Sequence, residues 1–392
     1  MNNSKSNYQT YILFFLWTIG LISIVIRLFI NIELTQYILA VALMDIVFQL
    51  KRKNEKFNRV SYQVLSVILI FYAWMIITNA YSPSMVYKFD KSLFFVANVI
   101  YFIYPFFIKK INFDLLIRLY CFIVLPLSTY FVYMNSIVWK ISSASTELFM
   151  NIRGSYLVFG IQLGILFLLL LYFKKHILLK VLTLSLLIAS SARGPLIFML
   201  LVILIYAVSE NKMKIPHPKN LVKSIFGFAG LFVVYYFNQD RFNSILESSF
   251  SRFGSLFAGE DGSTLERVHR LNFAFKQPFE KLSTFIFGNG NGSFGILFAK
   301  MDKRSYPHNI LLECFFEYGT IGLIIFLLMF ITIFRKVSFK ENVFGLLFIF
   351  TFMNAMKSSN ITDLWILFGT MGGIVSLNGI DLKKDNGLEH NT

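Results

Sequence analysis

Long apolar runs alternate with short polar breaks along most of this chain, and the breaks are rich in lysine and arginine. A helix that crosses a bilayer needs roughly 17 to 25 mostly apolar residues. On that scale the pattern predicts spans near residues 11–30, 35–50, 60–79, 93–108, 115–134, 155–173, 177–190, 195–209, 221–237, 308–334, 343–357 and 363–379. The expected fold class is therefore an all-α polytopic membrane protein with about 12 transmembrane helices. Several runs are short, and tilt or protein neighbours must absorb the mismatch.

The basic residues orient this layout. With the N-terminus inside, the segments 51–59, 109–114, 174–176, 210–220 and 335–342 and both tails hold 18 Lys and Arg, and the short outside loops hold seven. That bias predicts cytoplasmic termini. The N-terminal run has no small-residue cleavage site after it, so it reads as an uncleaved first span. Residues 238–305 differ in kind, being a long polar stretch with nine Lys and Arg against seven Asp and Glu. A connection of that length is usually functional rather than a spacer. The expected organisation is 1–237 for spans one to nine, 238–305 for a large periplasmic loop carrying short helices, 306–380 for the last three spans, and 381–392 for a cytoplasmic tail. Within the loop, "STLERVHRLNFAFKQP" begins with a capping box, Ser263 to Glu266, and stops at Pro278. Val268, Leu271 and Phe275 share one face and Arg267, Arg270 and Ala274 another, as in a helix lying on a membrane surface.

Composition agrees with the pattern. Hydrophobic residues make up 56% of the chain and charged ones 15%, against ~25% charged in soluble domains. This excludes a cytosolic enzyme. The net charge of +16 sits in topology-setting clusters, so it does not indicate a nucleic-acid partner. Cys121 and Cys314 are far apart in apolar runs and read as buried thiols.

Candidate chemistry gathers on the outside face. Arg193 occupies the tight turn of "SSARGPLIF", as a snorkelling arginine would, yet it is the one basic residue there and opposes the charge rule. Arg267 and Arg270 lie on the loop helix, where a solvated face accounts for one of the two. In "SYPHNILLECFFEYGTIGLIIF", Pro307 suits the first turn of a helix. Asn309, Glu313 and Glu317 then recur every four residues, a polar stripe that should face the bundle interior. His308 stands at the helix start, where an interfacial, water-satisfied imidazole is the simpler alternative. Arginines and a helix N-terminus together make an anion site. "FGNGNGSFG" lacks the Gly-Lys-Ser/Thr ending of a phosphate loop and reads as a glycine-rich turn. No spacing suggests zinc or a magnesium-bound diphosphate, so no metal or other cofactor is expected.

Three segments in order resemble the O-antigen polymerase and ligase superfamily of bacterial envelope glycosyltransferases. "SARGPLIF" is similar to the family's Ser/Thr-Arg-Gly/Ala segment. "ERVHRLNFAFKQPFEKLSTFIFGNGNGSFG" resembles its loop segment of Arg, a bulky residue four on, Ala seven on and a Gly-x-Gly turn. "YPHNILLECFFEYGTIGLIIF" resembles its His-Asn-x-x-Leu/Ile…Gly-x-x-Gly helix start. The resemblance implies that Arg193, Arg267 and His308 are catalytic. Arg270, Arg153 of "NIRGSYLVFG", Asn309, Glu313 and Glu317 would serve substrate binding. Arg267 precedes Arg270 in this assignment because Leu271 and Ala274 then fall at the family spacings, although Leu271 replaces the usual tryptophan.

The implied reaction takes a glycan from undecaprenyl diphosphate to an acceptor sugar hydroxyl at the periplasmic face of the bacterial inner membrane. In a polymerase the acceptor is another lipid-linked repeat unit, and in a ligase it is lipid A-core. The "YPHN" segment and Gly-x-Gly turn look more polymerase-like. Implied partners are the lipid-linked oligosaccharide, the acceptor glycan, the bilayer and a chain-length regulator protein. A lipid-linked oligosaccharide flippase, the alternative of another class, predicts an internal repeat and matched midplane charges. No repeat is seen, and Asp45 and Arg118 are not matched in sequence position.

Overall fold

The computed structural model describes residues 2–27, 34–51, 59–108, 110–140, 155–209, 262–335, 337 and 342–376. They are helical throughout, with no strand among them. The helices are α1 (Asn2–Arg27), α2 (Thr35–Lys51), α3 (Arg59–Thr78), α4 (Tyr87–Ile103), α5 (Phe113–Leu119), α6 (Leu125–Lys140), α7 (Tyr156–Tyr172), α8 (Ile177–Ala189) and α9 (Arg193–Ser209). After the large loop begin α10 (Gly262–Lys276), α11 (Leu282–Phe287), α12 (Ser293–Ala299), α13 (Ile310–Phe334), α14 (Val343–Ser358) and α15 (Trp365–Ser376). Among the described residues, four segments are long and apolar enough to cross a membrane: Asn7–Ile26, Val60–Thr78, Phe113–Met134 and Ile310–Phe334. The other apolar helices are shorter. The expected span at 221–237, the loop residues 238–261 and the tail 381–392 lie outside the described residues.

Two compact units interleave along the chain, Met1–Ile38 with Ile111–Asp261, and Leu39–Lys110 with Gly262–Thr392. This is a division by packing, a different property from the division into spans and loop expected above.

In the first unit, Gln162 is the polar centre of an apolar core. Its amide donates to Trp17 O at 2.6 Å, and its oxygen accepts from the Tyr120 hydroxyl at 3.0 Å. Tyr120 opens a π-helical turn, Tyr120–Val124, between α5 and α6. Phe131 stacks on Phe159 at 4.1 Å. Gly160 admits the α8–α9 turn, since a Cβ there would strike Ala192 and crowd Pro195.

In the second unit, α3 packs on α13 through Phe71 against Tyr318 and Phe326. Helix α4 packs on α15 through Phe95 against Phe368. The buried Asp45 carboxylate accepts from Gln49 at 3.0 Å and from the Tyr104 hydroxyl at 3.2 Å. Arg118, in the first unit, is exposed and donates to Asp114 O.

Candidate functional site

Helix α10 runs from Gly262 to Lys276 and ends in a 3-10 turn, Gln277–Glu280, that contains Pro278. Its orientation sorts its two faces. Ala274 is completely buried, packed with Phe273, Phe294 and Phe316. The expected apolar face is turned outward, with Val268 46% and Phe275 55% exposed. The arginine face is therefore the one against protein. The Glu266 carboxylate reaches forward one turn and accepts from Arg270 at 2.7 and 3.1 Å, which holds its pKa below the ordinary value. Arg270 also donates to Ser305 Oγ at 2.9 Å and lies 5.2 Å from the Phe298 ring centre. A 3.4 Å contact to Tyr306 O completes its tether to the strip before His308. Arg267, half-buried, makes no hydrogen bond or ion pair with a described residue. Its guanidinium remains available to a ligand.

Helix α13 begins at Ile310, not at Pro307. Asn309 is its N-cap, and the side-chain oxygen accepts from the amides of Leu311 and Leu312, each at 3.0 Å. Asn309 is thus committed to the helix start. His308 adopts φ 63°, a region unfavourable to a side-chain-bearing residue, so it cannot extend the helix and is held where it stands by its surroundings. Tyr306 packs edge-on against the imidazole at 4.5 Å. The Ser358 backbone lies within hydrogen-bonding reach. The Nδ1 atom is buried and has no hydrogen-bond partner among the described residues. Burial first, then the positive charges of Arg267 and Arg270, push the His308 pKa down to about 4. At neutral pH the ring is uncharged and can accept a proton.

Glu313 and Glu317 face inward, as their spacing predicts, and both are wholly buried. Their partner is Lys91 on α4, which donates to Glu313 Oε1 and, at 2.7 Å, to Glu317 Oε2. Glu313 Oε2 also accepts from Ile361 N at 3.0 Å, and Glu317 Oε2 from Gly292 N at 2.9 Å. The cluster ties α4, α13, the glycine-rich segment and the Ile361–Asp363 turn together. Neither carboxylate makes a described hydrogen bond to His308. The sequence reading missed Lys91 and counted it among loop charges. The available signal was the pair of glutamates in a spanning helix, which requires a buried cation.

The glycine-rich segment is a structural insert. Gly319 breaks α13 at φ 67°, ψ −168°, leaving carbonyls of the preceding turn without helical donors. Asn289 N donates to Phe316 O and Gly290 N to Glu317 O, each at 2.9 Å. Trp74 Nε1 donates to Tyr318 O at 3.0 Å. Asn291 then locks the segment to α4 and the turn before it: its amide nitrogen lies within hydrogen-bonding distance of Asn79 Oδ1, Lys88 O and Ser92 Oγ, and its oxygen accepts from the Tyr318 hydroxyl at 2.8 Å. Only glycine permits the approach, because a Cβ on Gly288 would meet the Glu317 carbonyl.

Arg193 belongs to the other unit, at the start of α9, after the tight Ser190–Ala192 turn in which Ser191 takes φ 58°. Arg153 lies outside the described residues. Cys121 and Cys314 are both free thiols. Among the described residues no group of three or more His, Cys, Asp or Glu could hold a metal ion. No family model matches the chain, and no curated protein matches it significantly.

Proposed function

We propose that this chain is a membrane glycosyltransferase, an O-antigen polymerase that moves a glycan from undecaprenyl diphosphate to a hydroxyl of another lipid-linked repeat unit at the periplasmic face. The observation that carries the reading is the pairing of an unpartnered, neutral His308 Nδ1 with the uncommitted Arg267 guanidinium on a neighbouring helix. In this mechanism His308 Nδ1 takes the proton from the acceptor hydroxyl as its oxygen bonds to the anomeric carbon. The bond from that carbon to the diphosphate oxygen breaks, and undecaprenyl diphosphate leaves with the electron pair. Arg267 neutralises the charge that develops on the diphosphate. For Arg193 the three-segment resemblance alone implies a catalytic role.

A base depressed to about 4 is neutral but weak. Diphosphate charge beside Arg267 and Arg270 offsets the arginine part of that depression and leaves the part due to burial. Arg270, Glu313 and Glu317 act in this mechanism as framework, because each is already committed within the protein.

The test is polymer formation by the purified protein from lipid-linked repeat units, with and without chelator. His308→Gln should lose about 10²–10⁴-fold in rate while donor binding persists. Near-normal activity in that variant removes the base assignment, and abolition by chelator removes the metal-free mechanism. Single repeats on lipid A-core in a deletion strain indicate the polymerase, whereas unlinked polymer indicates the ligase.

A further inference from the structure

The stretch from α10 to α11 belongs to the segment that hydropathy assigns to the aqueous loop, yet its exposed surface sets large apolar side chains among Lys276, Glu280, Lys281 and Ser283. Phe275, Phe279, Leu282 and Phe287 are 55%, 56%, 74% and 44% exposed, and they continue the outward stripe of Leu265 and Val268. Hydrogen bonds set the depth of this edge. The Thr320 hydroxyl donates to Phe285 O at 2.9 Å, and the amides of Asn289 and Gly290 reach the carbonyls of Phe316 and Glu317. Thus α11 and the residues after it lie alongside positions 316–320 of α13.

The position along α13 converts that register into depth. Residues 310–334 form one apolar membrane-crossing segment, broken at Gly319, and positions 316–320 lie six to ten residues inside it. The aromatic residues alongside agree with this level. Trp74 near the end of α3 packs 6.3 Å from the Phe287 ring, and the Tyr81 hydroxyl donates to Phe287 O at 2.5 Å. Tryptophan and tyrosine of this kind gather at the membrane interface. Non-helical backbone at such a depth must have its polar groups satisfied by protein. The amides of Phe285, Gly288, Asn289 and Gly290 all are.

We propose that Phe275–Phe287 is a shallow re-entrant edge inserted into the leaflet on the loop's side of the membrane. Its partner is the phospholipid itself: acyl chains against Phe275, Phe279, Leu282 and Phe287, and phosphates beside the exposed Lys276 and Lys281. The edge fixes the height of α10, and with it the height of Arg267, relative to the headgroups.

Quenching in liposomes tests this on the full chain. Leu282→Cys, in a background with Cys121 and Cys314 replaced by alanine, is labelled with an environment-sensitive fluorophore. Lipids brominated on the acyl chains should quench it at least half as well as a label at Ile324 on the lipid-facing side of α13, and aqueous iodide should barely affect it. A label at the exposed Lys303 should show the reverse. The proposal fails if the Leu282 label is quenched by iodide like that at Lys303. It fails equally if neither agent reaches the label, since a second copy of the chain would then cover the edge. Should Leu282→Cys compromise folding, seen as loss of a monodisperse protein, Phe279→Cys gives the same reading.

Discussion

Lys91 and Glu317, 226 residues apart in sequence, meet at 2.7 Å with both side chains wholly buried. One ammonium there serves two carboxylates, because Glu313 shares it. Removing the cation should therefore cost more than removing one anion. Lys91→Met strands two buried carboxylates and should lose about 3–5 kcal/mol. Glu317→Gln leaves one charge facing one charge and keeps an oxygen for the Gly292 amide, so it should lose far less. Thermal unfolding in detergent separates the two, and equal losses would show that the cluster does not act as a charge-balanced unit.

Gly319→Ala should destabilise the protein. The φ of 67° with ψ near 180° is a glycine conformation, and a Cβ would also collide with the Ile286 carbonyl. Backbone strain alone is worth about 1–3 kcal/mol. Unchanged melting would mean that α13 closes over the break when the loop cannot occupy it.

The two loop arginines should separate by what they lose. Arg267→Ala should reduce turnover by about 10²–10³-fold with melting unchanged, as expected for a donor aimed at developing charge. Arg267→Lys should recover little, since lysine lacks the planar fork. Arg270→Ala should lower the melting temperature, because Ser305 and Tyr306 lose their donor, and should reduce turnover less. The opposite ranking of the two turnover losses would reverse the assignment.

Acid inactivation should depend on whether donor is bound. Falling pH protonates His308 and removes the base, so both kinetic parameters decline on the acid side. The acid limb of kcat/KM reports the free enzyme and should lie near the value of about 4 imposed by burial and the arginines. The limb of kcat reports the donor complex, in which diphosphate offsets the arginines, and should lie at higher pH. Coincident limbs would show that bound donor leaves the imidazole environment unchanged.

Much of the helical layout was legible because a spanning helix has to be apolar over its whole length. The inward stripe of Glu313 and Glu317 was legible for a related reason, since charge at that depth must face protein. In α10 the periodicity identified an apolar face and an arginine face, and Val268 and Phe275 on the apolar one are exposed, as in a helix on a membrane surface. Other features were hidden by the same physics. Lys91 looked like one more loop cation because its partners are more than two hundred residues away. Pro307 suggested a helix start that Asn309 actually makes, because a side-chain cap is a hydrogen-bonding fact that propensity does not encode. The break at Gly319 lies within an unbroken hydrophobic run and has no hydropathy signature.

That break bears on how the protein is assembled. Carbonyls of Phe316, Glu317 and Tyr318 take their donors from Asn289, Gly290 and Trp74, and each would cost several kcal/mol if left bare in hydrocarbon. Residues 310–334 therefore hold their broken form only with the glycine segment beside them, and alone in lipid the span would have to close into an unbroken helix to satisfy the same carbonyls. The break and the segment that fills it form as one folding event, and a mutation in the glycine segment should appear as a changed conformation of the span.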